Sequence, residues 1–204
     1  DELKYVPNRM ARNLRTQRTF SLAVVIPDIT NPYHPAFVRG IQDIAVHQGY
    51  EVIVYNTDNQ REQEHKAVKS AIHNGVDGLI GVFLHVDAED CRQLSEAEIA
   101  LVLNLPSMQL ASKIQSVLPE AGLVVLDNLE AAEAAVHYLL GLGHRRIGFM
   151  QGIADSPPSL IRLDGYLRVL TQHAIKVDDQ LIVAGDFTFD GGRNAMKQLL
   201  ALQE

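Results

Sequence analysis

The chain of 204 residues is 47% hydrophobic and 21% charged, the proportions of a globular protein with material for one large domain or two small ones. No run nears the roughly 18 consecutive apolar residues of a membrane span, residues 1–20 lack the apolar stretch of an export signal, and the lone Cys91 excludes an internal disulfide. The formal net charge of −7 is uneven: Lys4, Arg9, Arg12, Arg15 and Arg18 form a basic arm with no acid among them.

That asymmetry points to a polyanion contact at one end of the molecule, although a solvated charged helix explains the charge equally well. The expected compartment is the cytoplasm, with no membrane contact. Both ends look cut. The chain opens on Asp1-Glu-Leu-Lys-Tyr5, which reads as the end of a helix, and it closes on Ala201-Leu-Gln-Glu204 inside another.

From residue 21 onward, short β-branched runs alternate with amphipathic stretches. Leu22–Ile26 reads as a buried strand ended by Pro27, and the spacing of Phe37, Ile41, Ile44 and Ala45 predicts a helix over Pro35–His47 stopped by Gly49. The pattern then predicts strand Val52–Tyr55, helix Glu62–His73, strand Leu79–Leu84, helix Ala88–Ala97 and strand Ala100–Leu103. Residues 105–121, with two prolines and mixed polarity, read as a loop. Strand Leu123–Leu126, helix Leu129–Leu142, strand Arg146–Met150, helix Ser159–His173, strand Leu181–Ala184 and helix Gly191–Leu202 complete the series. Strands that are apolar throughout need cover on both faces, so the expected class is α/β: doubly wound parallel sheet with right-handed crossovers.

No catalytic constellation is visible. The chain has no Gly-x-Ser-x-Gly elbow, no phosphate loop and no His-Glu-x-x-His. Gly141-Leu-Gly143-His-Arg-Arg-Ile-Gly148 follows a helix and precedes a strand, the reverse of a dinucleotide site, and reads as a helix cap and turn. His65 and His73 lie two turns apart on one helix, too far to share a metal alone. Binding without a cofactor or metal is therefore favoured over catalysis.

Two motifs carry the functional reading. Tyr5-Val-Pro7-Asn8-Arg-Met-Ala11-Arg12-Asn-Leu14-Arg15-Thr-Gln-Arg18-Thr19 has a proline to stop one helix, an asparagine to cap the next, and a leucine stranded among arginines. A helix of about two turns is marginal alone. In order and spacing the motif resembles the hinge of LacI/GalR-type transcriptional regulators. The second motif, Ser21-Leu-Ala-Val-Val-Ile-Pro27-Asp28-Ile-Thr-Asn31-Pro32-Tyr33-His34, resembles the first strand and following loop of that family's sensor domain. Further likenesses are Gly75-Val-Asp77-Gly78, Val125-Leu-Asp127-Asn128, Leu142-Gly143-His144 and Arg162-Leu-Asp-Gly165-Tyr166, so the resemblance runs along essentially the whole chain.

The resemblance implies a periplasmic-binding-protein-like (type I) domain of two α/β lobes, the second incomplete. Residues 1–18 would be the hinge, 19–127 the first lobe and 128–204 part of the second. It implies a homodimeric, DNA-binding repressor whose effector, a sugar or sugar acid, sits at strand C-termini between the lobes. Pro7, Asn8, Ala11, Arg12, Leu14 and Arg15 would serve operator DNA, with Leu14 wedged in the minor groove. Tyr33, His34, Asn104, Asp127, Ser156, Arg162 and Phe187 would serve the effector: Asp127 accepting from hydroxyls, Arg162 holding a carboxylate or adjacent oxygens, Phe187 or Tyr33 stacking on a ring. His34 and Asn104 depart from the aromatic and aspartate that many members carry there. Plainer roles stand beside these: Asp127 as a helix cap, Arg162 in a surface ion pair, Phe187 in a core. A periplasmic-type sugar-binding protein for transport is the alternative function.

Overall fold

The computed structural model describes residues 18–83, 85 and 87–202, so the six hinge residues expected to meet DNA lie outside it. Along the described residues, strands and helices alternate: β1 (Ser21–Ile26), α1 (Tyr33–His47), β2 (Glu51–Asn56), α2 (Arg61–His73), β3 (Gly78–Val82), α3 (Ala88–Glu96), β4 (Ala100–Leu105), α4 (Met108–Val117), β5 (Gly122–Val125), α5 (Asn128–Gly141), β6 (Phe149–Met150), α6 (Pro157–Gln172), β7 (Ile182–Val183) and α7 (Phe189–Ala201). One sheet has the order β2-β1-β3-β4-β5, and β6 pairs with β7 in a second. β1 runs parallel to both neighbours, with Val24 opposite Val54 on one side and Ile80 on the other. Strands covered on both faces must be apolar throughout, and Ala23, Val24, Val25 and Ile26 are sealed from solvent. The α/β class expected from the alternation is the class observed.

The stretch over residues 105–121 is not a loop. It holds α4, because Pro106 lies just outside the helix and leaves its hydrogen bonds intact. The Ser107 hydroxyl accepts the Leu110 N–H at 3.3 Å, and Leu110, Ala111 and Ile114 recur at helical spacing, with Ala111 buried. Two strands are shorter than their apolar runs suggest. Only Phe149–Met150 of 146–150 pairs, and Asp179–Leu181 forms a single 3₁₀ turn before β7. Arg145 instead caps α5, its guanidinium donating to the carbonyls of Leu140 and His144 at 3.0 Å.

The chain divides into two units, one of residues up to 103 with 117–122, the other of 104–116 with residues from 123 onward. In the first, Asp77 ties the start of β1 to the turn before β3. Its carboxylate accepts the N–H of Thr19 at 3.1 Å and of Phe20 at 2.8 Å, while the Thr19 hydroxyl donates to the Gly75 carbonyl. In the second, Val136, Leu140, Ile147, Tyr166, Val169 and Leu170 form the core under α5 and α6. Gly165 permits that helix pair: a Cβ there would lie 3.0 Å from both the Ala132 Cβ and the Leu129 carbonyl oxygen. Tyr166 fills the core and donates its hydroxyl to the Ile147 carbonyl at 2.8 Å. No helix among the described residues is long and apolar enough to cross a membrane.

Candidate functional site

In the first unit the loop after β1 is organised by its own side chains. Asp28 Oδ1 accepts from the N–H and hydroxyl of Thr30, Asn31 Oδ1 from the Tyr33 N–H, and Asn56 Oδ1 from the Ile29 N–H. This starts α1 with Tyr33 exposed and His34 buried. The two rings meet edge to face at 5.3 Å, and Tyr33 also stacks on Phe37 at 6.4 Å. His34 Nδ1 lies 2.7 Å from the Asp28 carbonyl. A carbonyl only accepts, so that nitrogen carries the proton, and in the neutral ring Nε2 is left as an acceptor.

In the second unit Arg162, on α6, lies against Asn128 and Phe187. Ser156 is the N-cap of that helix and is buried, though its hydroxyl donates to the Ile153 carbonyl rather than capping. Two turns on, the Arg162 Nε donates to Asn128 Oδ1 at 2.7 Å, and its guanidinium lies 5.9 Å from the centroid of the Phe187 ring. Nη1 and Nη2 make no hydrogen bond or ion pair among the described residues. Phe187 adopts a left-handed backbone (φ +64°) in a turn where the Asp186 carboxylate accepts from the N–H and hydroxyl of Thr188. Those bonds, the Thr188 hydroxyl first, hold the Asp186 carboxyl below its ordinary range. The Phe187 ring occupies the space over Gly152, where a Cβ would stand 2.0 Å from Cζ.

Among the described residues Arg162 therefore makes no surface ion pair, and Phe187 is partly exposed rather than in the core. Asp127 is the N-cap of α5, accepting the Glu130 N–H at 3.0 Å. Asn104 is buried near the end of β4. Asn128 and Gly152, which hold Arg162 and seat Phe187, were not among the residues singled out from sequence. Asn128 stood in the quoted Val125–Asn128 motif, but neither contact has a local sequence signal.

Two other places have site-like chemistry. His65, Asp87 and Asp90 bring one ligand atom each within 4.8 Å of one another, a grouping that histidine spacing alone did not reveal. The atoms already have partners: Asp87 and Asp90 form the capping box of α3, His65 Nδ1 lies 2.7 Å from Asp90, and Arg61 pairs with Asp87 at 3.0 Å. The Asp90 N–H above all, aided by Arg61, holds the Asp87 carboxyl below its ordinary range. Behind them Cys91 is buried and its thiol pushed up to about 11, first by burial and then by the two aspartates, which makes it unreactive. Between α1 and the sheet, an open groove of about 660 Å³ is lined by Leu22, Phe37, Ile41, Ile44 and Ile80 among others. It is almost wholly apolar, unsuited to a ligand rich in hydroxyls.

Residues 19–203 match the family model described as periplasmic binding proteins and sugar binding domain of LacI family. This chain belongs to the LacI family. Among LacI-family relatives, it is 37% identical over 205 residues to the HTH-type transcriptional repressor CytR of Escherichia coli (strain K12), which covers all of this chain and 57% of that one. It is 33% identical to catabolite control protein A of Priestia megaterium, over all of this chain and 59% of the relative. Among solved structures, the complex of the transcriptional regulator CelR with cellobiose superposes with a TM-score of 0.70 at 27% identity, over 98% of this chain and 58% of that one. The chain thus spans little more than half the length of the relatives it matches.

Proposed function

We propose that this chain is the sensing part of a DNA-binding repressor. A small effector, a sugar or sugar acid, alters operator affinity through the basic segment of residues 1–18. The observation that carries the reading is the extent of the match to CytR. It covers the whole chain, including the basic segment as well as the sensor domain, and the relative is named a transcriptional repressor. A transport receptor has no use for an arginine-rich arm ahead of its binding domain, whereas a repressor needs phosphate contacts there.

The effector residues in this reading are Tyr33, His34, Asn104, Asp127, Ser156, Arg162 and Phe187. Arg162 offers two nitrogens in one plane that no described residue engages, a geometry suited to a carboxylate or to adjacent hydroxyl oxygens. His34 Nε2 accepts from a ligand donor, and Tyr33 and Phe187 supply ring faces. The working protein is a cytoplasmic homodimer in which Leu14 of each hinge, flanked by Arg12 and Arg15, wedges into the minor groove while Pro7, Asn8 and Ala11 shape the hinge helix.

The test is operator binding by the full-length protein, measured by fluorescence anisotropy. Leu14→Ala should weaken specific binding about tenfold or more, while leaving the salt dependence from the arginines in place. Unchanged operator affinity would remove the wedge, and absence of any DNA binding would overturn the repressor reading.

A further inference from the structure

We propose that Asn128 is a positioning residue that holds the Arg162 guanidinium in a ligand-ready orientation. The inference rests on the reading of Arg162 as an effector contact.

Asn128 opens α5 and is 6% exposed. Its amide nitrogen donates to the carbonyls of Pro106 at 3.0 Å and Leu126 at 3.2 Å, and its oxygen accepts Arg162 Nε–H at 2.7 Å. The orientation of this amide is dictated by chemistry. Both backbone partners are carbonyls, which only accept, so the NH₂ must face them and the oxygen must face the arginine. Both amide protons are engaged, which leaves the group no other placement.

The consequence reaches the far end of Arg162. A guanidinium is planar and rigid, so fixing Nε–H against Asn128 fixes the plane and direction of Nη1 and Nη2. Phe187 lies against the guanidinium as a second constraint, itself seated on Gly152 and held by the Asp186–Thr188 turn. A free arginine on a helix surface would lose several rotors' freedom when it bound a ligand. Here that ordering is done before the ligand arrives, which raises affinity without any new ligand contact. Asn128 also links three elements, the turn before α4, the end of β5 and α6, so its single amide sets where the arginine stands relative to each.

The direct test is the solvent exchange of the arginine Nε–H protons in the full-length protein, read by nitrogen-edited NMR. Arg193 is the internal control, since its contact with Asp190 is made by a terminal nitrogen and its Nε–H has no hydrogen-bond partner among the described residues. The Arg162 Nε–H should exchange at least about tenfold more slowly than that of Arg193, and equal rates would overturn the proposal without any variant being made. In Asn128→Ala the slow exchange should be lost; if it persists, another group holds the arginine and the proposal falls.

A second arm separates this inference from the reading beneath it. Operator release is titrated with D-ribose, cellobiose, D-gluconate and inorganic phosphate in the wild type, Asn128→Ala and Arg162→Ala. Arg162→Ala should abolish the response to whichever probe acts, and Asn128→Ala should raise the half-maximal concentration about tenfold or more. A response lost with Arg162→Ala but unaltered in Asn128→Ala overturns the positioning role alone. A response unaltered in both overturns the effector role of Arg162, and no response to any probe counts against sugar sensing, with the exchange rates still deciding whether Asn128 orders the arginine.

Discussion

The sheet around β1 and the helix pair α5–α6 use polar residues in opposite ways. Near the sheet, Asp77 and the residues around the start of α3 are committed to building the fold. Asp77 accepts from Thr19 and Phe20, Asp87 and Asp90 cap α3, and Cys91 is sealed behind them. In the helix pair, Gly165 and Tyr166 do the packing, and the same short motif begins with Arg162, whose two terminal nitrogens have no hydrogen-bond partner among the described residues. The difference shows how to find a binding residue in a fold of this kind. A polar position whose hydrogen-bonding groups are all engaged within the fold is scaffold, and one with groups left over is a candidate for ligand contact.

Breaking the helix pair should give the largest effect. Tyr166 is 1% exposed, and Tyr166→Ala removes a ring from the core together with the hydroxyl that satisfies the Ile147 carbonyl. It should cost about 3–5 kcal/mol in urea unfolding. A loss under about 1 kcal/mol would mean that α5 and α6 do not share this core. On the sheet side, Cys91 should react with iodoacetamide at pH 7.5 about a hundredfold more slowly than an exposed thiol of ordinary pKa, because raising its value to about 11 depletes the thiolate. Rapid alkylation of the folded protein would place that residue at the surface.

Smaller changes sharpen the contrast. Asp77→Ala leaves two backbone N–H groups without their carboxylate partner, and should cost about 2 kcal/mol. The amides of Thr19 and Phe20 should then exchange faster, while those of α6 are unaltered. Gly165→Ala forces a methyl to within 3.0 Å of a backbone oxygen, and should cost about 1–2 kcal/mol by thermal unfolding. A neutral result would show that the helices separate freely. The smallest effect concerns Asp87, whose carboxyl is held low by accepting hydrogen bonds. Its stabilisation of α3 is full above the ordinary carboxylate range and is lost as pH falls through the lowered value. A carbon-detected titration should therefore find its midpoint below the ordinary aspartate range.

Most of the fold was legible because apolar strand runs and helical spacing are local signals. The α/β alternation and parallel class follow from residues 21–26, 78–82 and their like. The helix α4 was missed because Pro106 and Pro119 read as breakers, although both stand just outside the helical turns and so break nothing. Strands β6 and β7 came out short because pairing is a property of two segments and is not written in either alone. At the candidate site, Arg162 and Phe187 were named through the family likeness, and their contacts with other residues were not. The grip of Asn128 on Arg162 spans 34 residues and the seat of Phe187 on Gly152 spans 35, and no local pattern reports such contacts.

The central claim is that effector binding at Arg162 controls DNA binding by the intact protein. It is tested most directly by titrating operator-bound wild type and Arg162→Ala with the sugar panel and following fluorescence anisotropy. The account predicts that an active sugar shifts wild-type operator affinity by about 5- to 150-fold, and that Arg162→Ala binds operator but no longer responds. An Arg162→Ala protein that responds to the same sugar at the same concentration would contradict it.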